Sequence, residues 1–247
     1  MAEGNISMIF DTETTGLIPK IDLSYNWEEV DISTFPYILQ LSFVTINEST
    51  HQIQGVYDEL LKLPHGVVID PFVTSIHGIT NEMILKKGKN DENEIDIVMK
   101  NYIQSNKLIG HNVSFDITML LVAIIRILQR YKNMDDEYDI ETADKMSKWI
   151  GYYENLFVTW RYKHECTMKP NVKLCNIWVK RKNSEHMYMK YPKLAELHYV
   201  LFHSNVKSLH NSLTDVFVCL RCYYFIKYKI DLKITNKTIR ELYKLIE

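Results

Sequence analysis

The chain has 247 residues, 46% apolar and 12% aromatic, with 29 basic and 31 acidic side chains and a formal net charge of −2. This composition excludes an intrinsically disordered chain and fits one sizeable globular domain. No apolar run approaches the roughly 18 residues that a membrane span needs, and the N-terminus lacks the basic and apolar regions of a secretory signal. We therefore expect an intracellular protein, cytoplasmic or nuclear, that is neither secreted nor attached to a membrane.

Three strands are predicted in the first quarter of the chain. Residues 6–10 form a short apolar run, Tyr37–Asn47 alternates apolar and polar side chains, and a third strand follows from His51 after a short polar turn. Between the first two strands, Pro19–Phe35 is polar and is predicted to be flexible.

Helices dominate the next section. A short helix is predicted to end at a turn on Gly78, and a second helix to begin at a cap provided by Thr80 or Asn81. Helical spacing follows at 92–105, then a brief strand at 107–112. A long apolar helix comes next, with Ser114 as its predicted N-cap.

The second half is less regular. The predicted elements are an acidic loop at Asp135–Asp144, one strand near Glu165–Met168, a helix from about Pro192, a long helix through 209–229, and, from Ile230, a short strand and an amphipathic helix. The simplest organisation is a single domain over residues 1–247, with a variable insertion at about 132–191 and a C-terminal extension at about 230–247.

The four cysteines include a C-x-x-C pair, Cys219 and Cys222, inside the long helix at 209–229. The pair could be half of a zinc site, but no second C-x-x-C is present to complete it. Small core residues with free thiols are the better interpretation.

The first motif with chemical content is "FDTETTG", where Asp11 and Glu13 end the first strand. Side chains two apart in a strand share a face, so the two carboxylates lie close together. They repel unless one takes up a proton or a divalent cation binds between them. An isolated D-x-E is most often an exposed turn with two solvated acids.

Two further motifs place acids at the start of long helices. Asp116 follows a short strand in "HNVSFD", and "HNSLTD" holds His210 and Asp215. Alone, each acid is readily explained as a first-turn residue favoured by the helix dipole. Five positions separate His210 from Asp215, so we predict that the histidine lies on the loop entering the helix and the aspartate on its first turn.

Together these motifs resemble the DnaQ-like, or DEDD, 3′→5′ exonucleases. "FDTETTG", "HNVSFD" and "HNSLTD" match the three motifs of that family in order, and "ILQLSF", "SIHGIT" and "KLAEL" match its secondary signatures. The resemblance runs from about Met8 to Tyr224. A histidine five residues before the last aspartate is typical of the DEDDh branch. The resemblance implies an α/β, ribonuclease H-like fold with a mixed five-stranded sheet flanked by helices.

The activity implied by the resemblance is hydrolysis of phosphodiester bonds from the 3′ end of a nucleic acid, with release of nucleoside 5′-monophosphates. Two Mg²⁺ ions, for which Mn²⁺ can substitute, are the implied cofactors. His210 is the implied general base, since a histidine with an ordinary pKa accepts protons near neutral pH. The implied metal ligands are Asp11, Glu13, Asp116 and Asp215, which with His210 make up the implied catalytic set.

Substrate contacts are also carried over from the family. Residues that match its terminal-nucleotide site are Thr12, Thr14, Gly16, Leu17, His77, Ile79 and Asn112, with Leu17 as the wedge between the last bases. From Arg161 to Lys193 there are nine basic side chains against two acids, with aromatic residues between them. Lys180, Arg181 and Lys182, near Trp178, are the clearest candidates for gripping the strand.

Three questions stay open at this level. We favour a DNA 3′ end, single-stranded or mismatched, in an editing, proofreading or repair role, with RNA trimming as the alternative. A different class of protein, a catalytically inactive module that binds nucleic acid or a polymerase, is a further alternative. Several relatives form homodimers, and the sequence leaves the oligomeric state undetermined.

Overall fold

The computed structural model describes residues 5–20, 26–134, 140–182, 184–207 and 209–246. The strands are β1 (Ile6–Thr14), β2 (Ile38–Asn47), β3 (Gln52–Leu60), β4 (Lys107–Gly110), β5 (His164–Cys166), β6 (Trp178–Lys180) and β7 (Met187–Met189). The helices are α1 (Pro71–His77), α2 (Asn81–Lys87), α3 (Asp91–Gln104), α4 (Ser114–Lys132), α5 (Ile140–Lys163), α6 (Val172–Cys175), α7 (Leu194–Phe202), α8 (Ser212–Tyr228), α9 (Leu232–Thr235) and α10 (Lys237–Ile246).

A mixed five-stranded sheet forms the centre, with the strand order β3-β2-β1-β4-β5. β1 pairs antiparallel with β2 and parallel with β4, β3 is antiparallel to β2, and β5 is parallel to β4. β6 and β7 form a separate antiparallel hairpin. The α/β fold with a mixed five-stranded sheet that the sequence predicts is confirmed.

The sheet has a hydrophobic cluster on each face, and β1 contributes to both. Met8 and Phe10 belong to the cluster formed with α3, α4 and α5, whereas Ile9 belongs to the cluster formed with α7, α8 and α10. Side chains of a strand alternate between faces. At the end of β1, therefore, odd-numbered residues face the α8 side and even-numbered residues face the α4 side.

Several local predictions are confirmed. Thr80 caps α2, since its hydroxyl accepts a hydrogen bond from the amide of Met83 at 3.1 Å. α10 is the predicted C-terminal amphipathic helix, with Ile239, Tyr243 and Ile246 buried. All four cysteines are free, and Cys219 and Cys222 are buried within α8 as core residues.

Two predictions near the first half of the chain are wrong. Ser114 is the first residue of α4 and not its cap; Val113 holds the cap position and makes no side-chain cap bond. Part of the stretch predicted to be flexible is packed: Trp27 and Phe35 are buried, and Arg126 of α4 donates to the Phe35 carbonyl at 2.6 Å. Residues 21–25 lie outside the described residues.

The region after α4 is more ordered than predicted. The last part of the predicted acidic loop belongs to α5, a helix of 24 residues that packs against α4 through buried Trp149, Tyr153 and Leu156; residues 135–139 lie outside the described residues. The predicted strand near 165 exists as β5, but the β6–β7 hairpin was not anticipated. The short strand expected from Ile230 is wrong, because Leu232–Thr235 forms the helical turn α9. Within the described ranges, none of the helices combines the length and the apolar character that crossing a bilayer requires.

Candidate active site

The site begins with two acids at the end of β1. Asp11 and Glu13 are odd-numbered and lie on the α8 side of the sheet, opposite Ser42 and Gln40 of β2. The register shifts directly after Glu13, where β1 stops pairing regularly with β2. The two carboxylates therefore share one face of the sheet, next to the shift in pairing between β1 and β2, as the strand alternation predicted.

A tight turn brings the third acid to β1. β4 ends at Gly110, and a Cβ atom built there would stand 3.1 Å from the carbonyl oxygen of Phe10 and 3.0 Å from the Cβ of Val113. Only glycine fits this approach between β4 and β1 without displacing backbone. α4 then starts at Ser114 and holds Asp116 in its first turn, where the side chain is 3% exposed.

Thr12 fixes the orientation of Asp116. Its even-numbered side chain faces α4, and both its amide nitrogen and its hydroxyl donate to Oδ1 of Asp116, at 3.0 and 2.8 Å. Because both donors bond the same oxygen, the second carboxylate oxygen of Asp116 is left for other partners. The family resemblance implied a substrate role for Thr12, and this contact with Asp116 was not anticipated.

The fourth acid and the histidine come from the start of α8. Asn211 caps the helix, His210 precedes it with a positive φ of 72°, and Asp215 lies in the first turn. This confirms the predicted division between the entering loop and the helix. The ligand atoms of Glu13, His210 and Asp215 all lie within 4.8 Å of one another.

Asp215 is incompletely satisfied. Its Oδ2 atom accepts a hydrogen bond from the amide of His210 at 3.3 Å, but its buried Oδ1 atom has no hydrogen-bond partner among the described residues. A buried carboxylate oxygen without a donor costs free energy unless a cation or a proton satisfies it.

Burial raises the pKa of every acid in the cluster, and repulsion from neighbouring carboxylates adds to the effect for Asp11, Glu13 and Asp116. Burial raises the pKa of Glu13 to about 8, and the charges of Asp215 and Asp116 add to the effect. Burial also raises the pKa values of Asp116 and Asp215, each to about 7. For Asp11, burial raises the pKa well above its usual range, and the neighbouring carboxylates raise it further. The protein alone does not neutralise these four charges.

This donor set is suited to divalent cations. Four carboxylates supply the hard oxygen ligands that Mg²⁺ and Mn²⁺ prefer, and His210 stands at the edge of the group. A bound cation would satisfy the unpartnered oxygen of Asp215 and offset the negative charge of the clustered carboxylates. The residues present therefore fit a divalent metal.

A second layer of polar contacts ties α8 to the sheet. The hydroxyl of Ser212 donates to the backbone carbonyl of Asp11 at 2.7 Å, and its amide donates to Oε1 of Gln40 at 3.3 Å. Gln40 and Ser42 in turn donate to Oδ1 of Asp58 on β3, at 2.7 and 2.6 Å. The chain of contacts fixes the start of α8 relative to Asp11. Sequence inspection did not single out these residues.

Comparison with known proteins identifies the family and the fold. A model of the RNase T family, described as an exonuclease family, matches residues 8–148, more than half of the chain. The chain belongs to this exonuclease family. No curated protein sequence matches the chain.

Solved structures of exonuclease I share the fold. E. coli exonuclease I in complex with a dT13 oligonucleotide aligns with a TM-score of 0.58 at 14% identity, over 94% of this chain and 42% of that one. The apo form of exonuclease I aligns with a TM-score of 0.55 at 13% identity, over 97% and 44%. The chain thus spans less than half the length of exonuclease I, and at these identities the likeness shows the fold alone.

The residues predicted to contact substrate fall into two groups. The first lies at the end of β1 and in the turn after it. Thr14 is buried, and its hydroxyl donates to the carbonyl of Gly16 at 2.7 Å, which shapes the turn. A Cβ at Gly16 would meet no atom within 4 Å, and the side chain of Leu17 is 88% exposed. A large, solvated apolar side chain beside the acids is compatible with the predicted wedge, which remains a prediction.

The second group comes from the end of α1, the loop after it and the turn after β4. His77 has a buried Nε2 atom without a partner among the described residues, and burial together with His210 lowers its pKa. Ile79 is 3% exposed, and its amide donates to Nδ1 of His77 at 3.0 Å. Both residues border a cavity of about 330 Å³ that also reaches Asn211. Asn112, with a φ of 70°, accepts from the hydroxyl of Ser114 at 3.4 Å at the end of β4.

Proposed function

We propose that the chain is a metal-dependent 3′→5′ exonuclease that acts on DNA ends, single-stranded or mismatched, and releases nucleoside 5′-monophosphates. The observation that carries the proposal is the convergence of Asp11, Glu13, Asp116 and Asp215, with His210 beside them, at one edge of the sheet. Membership of an exonuclease family supports the same reaction class.

The four carboxylates would hold two Mg²⁺ or Mn²⁺ ions. Asp11 faces the other three acids and is the residue best situated to touch both ions. Thr12 keeps Asp116 oriented toward them. When bound, the ions would stabilise the negative charge that develops on the phosphate and on the leaving 3′ oxygen.

His210 would act as the general base. It lies on a loop before α8, exposed to solvent, and its ring is within 4.8 Å of Glu13 and Asp215. In the proposed step a water oxygen forms a bond to phosphorus, the bond from phosphorus to the 3′ oxygen breaks, and the imidazole takes one proton of the water. The released 3′ oxygen takes up a proton from solvent, and the imidazolium later returns its proton to solvent. The products are a strand shortened by one nucleotide and a nucleoside 5′-monophosphate.

DNA is the preferred substrate in this proposal. The solved exonuclease I complexes contain oligonucleotides of the DNA type, dT13 among them. The cavity of about 330 Å³ beside His77 and Asn211 lies at the low end of the range for small-ligand sites, a size compatible with one terminal nucleotide. The metal chemistry itself does not distinguish DNA from RNA, so the assay must compare both.

The test is degradation of 5′-labelled single-stranded, duplex and mismatched DNA, and of RNA of the same sequence, with Mg²⁺, Mn²⁺ or EDTA. The proposal predicts a ladder of products shortened from the 3′ end, release of mononucleotides, and no reaction in EDTA. Faster degradation of RNA than of DNA would identify the activity as that of an exoribonuclease. Absence of any metal-dependent product would favour the inactive binding module.

A histidine variant makes the test specific. His210→Ala should lower turnover about 10²–10⁴-fold, because it removes the group that accepts the proton of the water. Metal binding should stay intact, because the four carboxylates are the proposed ligands. His65→Ala is the matched control, since His65 is exposed on the loop after β3. Full activity of His210→Ala would remove this residue from the mechanism.

A further inference from the structure

The β6–β7 hairpin presents large side chains that stay about half exposed in the described structure. Trp178, Met187 and Tyr188 are 52%, 52% and 50% exposed, and Tyr191, just after the hairpin, is 59% exposed. In the ladder Trp178 pairs with Met189, and Val179 pairs with Tyr188. Successive residues point to opposite faces, so the two ring side chains lie on different faces of a thin, solvated ribbon.

Cations accompany these rings. Lys180, Arg181 and Lys182 are all exposed, and neither Arg181 nor Lys182 forms an ion pair with a described residue. Lys180 pairs with Glu185 at 2.6 Å, but both side chains are more than half exposed, so the pair is weak and easily exchanged. A cavity of about 520 Å³ opens beside Arg181 and Tyr188. Rings interleaved with free cations are the composition of a surface that binds single-stranded nucleic acid.

The hairpin is anchored next to the cluster of acids. His111 directly follows β4, five residues before Asp116, and its Nε2 atom lies 3.0 Å from the carbonyl of Pro192. Its Nδ1 atom lies 3.0 Å from the hydroxyl of Thr167, after β5. The chain from Pro192 to Tyr188 spans at most about 14 Å. The hairpin therefore begins close enough to the acids for one strand of a few nucleotides to contact both.

We propose that the hairpin of residues 177–190, here called the ribbon, binds the single-stranded part of the substrate upstream of its 3′ end. The rings of Trp178 and Tyr188 would stack on unpaired bases, and Arg181 and Lys182 would contact phosphates. Unpaired bases are required because a duplex hides their faces. This proposal rests on the proposed function, and it specifies where the enzyme holds a long strand.

Fluorescence anisotropy in EDTA tests the ribbon separately from catalysis. The probes are a 5′-labelled oligothymidylate of about 20 nucleotides and one of about three nucleotides, too short to reach both the site and the ribbon. Trp178→Ala and Tyr188→Ala should each weaken binding of the long probe at least about fivefold, since a base stacked on a ring contributes that much or more. Binding of the short probe should not change.

Tyr162→Ala is the matched control. Tyr162 is 74% exposed on α5 and lies near Tyr102 of α3. The end of α3 leads into the start of β4, whereas the acids lie beyond the other end of β4. Its removal should leave the affinity for both probes unchanged. Unaltered long-probe affinity in both ribbon variants, with circular dichroism showing a native fold, would overturn the proposal.

Salt dependence tests the phosphate contacts. Arg181→Glu should reduce the slope of log Kd against log salt concentration by about 0.7, the value expected for one lost contact to a single strand. Lys237→Glu, an equal charge change at an exposed residue at the start of α10, should leave the slope unchanged. Equal slopes for Arg181→Glu and the unmodified chain would contradict the assignment of this side chain.

Two outcomes separate the ribbon from the catalytic proposal and from a protein partner. Ring-dependent binding of the long probe without any ladder of products would support the ribbon while the proposed function fails. A change in oligomeric state on Trp178→Ala, measured by light scattering, with long-probe affinity unchanged, would show that the ribbon contacts protein and overturn the proposal.

Discussion

Acids lie beside α8 near both ends of β1, one of them Glu48 in the turn after β2, yet their surroundings are opposite. At the N-terminal end, Glu48 is 5% exposed and accepts hydrogen bonds from the hydroxyls of Ser7 at 2.9 Å and Tyr223 at 2.8 Å, with the Lys227 ammonium at 3.4 Å. At the other end, Asp11 and its neighbours face one another, and one oxygen has no donor among the described residues.

The pKa of each of these acids reflects the groups that surround its carboxylate. Burial of Glu48 alone would raise its pKa, but the donors of Tyr223, Tyr228 and Ser7, with the charge of Lys227, lower the pKa below its ordinary value. Burial raises the pKa values of Asp116 and Asp215 to about 7, and neither acid forms an ion pair with a lysine or arginine among the described residues. Glu48, with several donors and the Lys227 ammonium, serves the fold, whereas the clustered acids keep raised pKa values despite the donors of Thr12 and His210 and therefore fit a metal site.

The largest expected effect comes from removing one unsatisfied charge. Asp215→Asn should lower turnover at least about 10³-fold, because it removes a metal ligand. The same change should raise the Tm of the metal-free protein at pH 8, because it removes like-charge repulsion from the cluster. Thermal denaturation in EDTA and the ladder assay measure the two effects.

Asp144→Asn is the control for this variant, since Asp144 is exposed on α5. It should change neither turnover nor Tm. A lower Tm for Asp215→Asn in EDTA would mean that the charge of Asp215 stabilises the fold, and the contrast between the two ends of β1 would then be wrong.

Glu48 should show the reverse behaviour. Glu48→Gln should lower the free energy of unfolding by about 1–3 kcal/mol, because the hydroxyls of Ser7 and Tyr223 lose a charged acceptor. Its kcat should match that of the unmodified protein. Urea denaturation measures the loss, with Glu82→Gln, an exposed acid of α2, as the control. A loss of activity without a loss of stability would contradict the structural role.

The pH dependence of stability separates the two ends further. Acids with raised pKa values bind more protons in the folded than in the unfolded protein between about pH 4 and pH 8. Stability of the metal-free protein should therefore fall as the pH rises through this window. Glu48 acts with the opposite sign, since its contribution is lost as the pH falls below its ordinary value near 4.5.

Scans of Tm against pH in EDTA and in Mg²⁺ test this sign. The gain in Tm on adding Mg²⁺ should be larger at pH 8 than at pH 5, because protons compete with the cation for the same oxygens. A Tm that rises from pH 5 to pH 8 in EDTA would show that the acids are already neutralised by the protein.

The smallest effect is expected from the contacts that support the site. Ser212→Ala removes the hydroxyl that donates to the Asp11 carbonyl and keeps the amide that donates to Gln40. The kcat should fall about twofold to tenfold, the equivalent of one hydrogen bond of 0.5–1.5 kcal/mol. Ser75→Ala, in exposed α1, should have no effect. An unchanged kcat for Ser212→Ala would show that the start of α8 is held by other contacts.

The sequence predicted the elements that carry the acids because each has a strong local pattern. β1 ends in a D-x-E pair, α4 and α8 are long apolar helices, and His210 precedes the second of them. The supporting contacts could not be predicted in this way. Thr12 meets Asp116 across 104 positions, and Ser212 meets Asp11 across 201, so only the folded chain brings these pairs together.

The middle of the chain was predicted less accurately for a different reason. Trp149, Tyr152, Tyr153 and Leu156 are buried with helical spacing, so a signal for α5 was present but was diluted by the charged residues between them. The ribbon gave little signal, since its strands have three residues each and the described part of its turn lacks the Asn-Gly or Asp-Gly pair of tight hairpins.

Isothermal titration of the metal-free protein with Mn²⁺ tests the central claim most directly. The four acids should bind two ions for each chain, and Asp11→Asn, which alters the residue facing the other three, should lower that number. His210→Ala should leave it unchanged. Failure of the unmodified protein to bind Mn²⁺, or equal stoichiometry in Asp11→Asn, would contradict the view that these carboxylates are held together to receive a pair of cations.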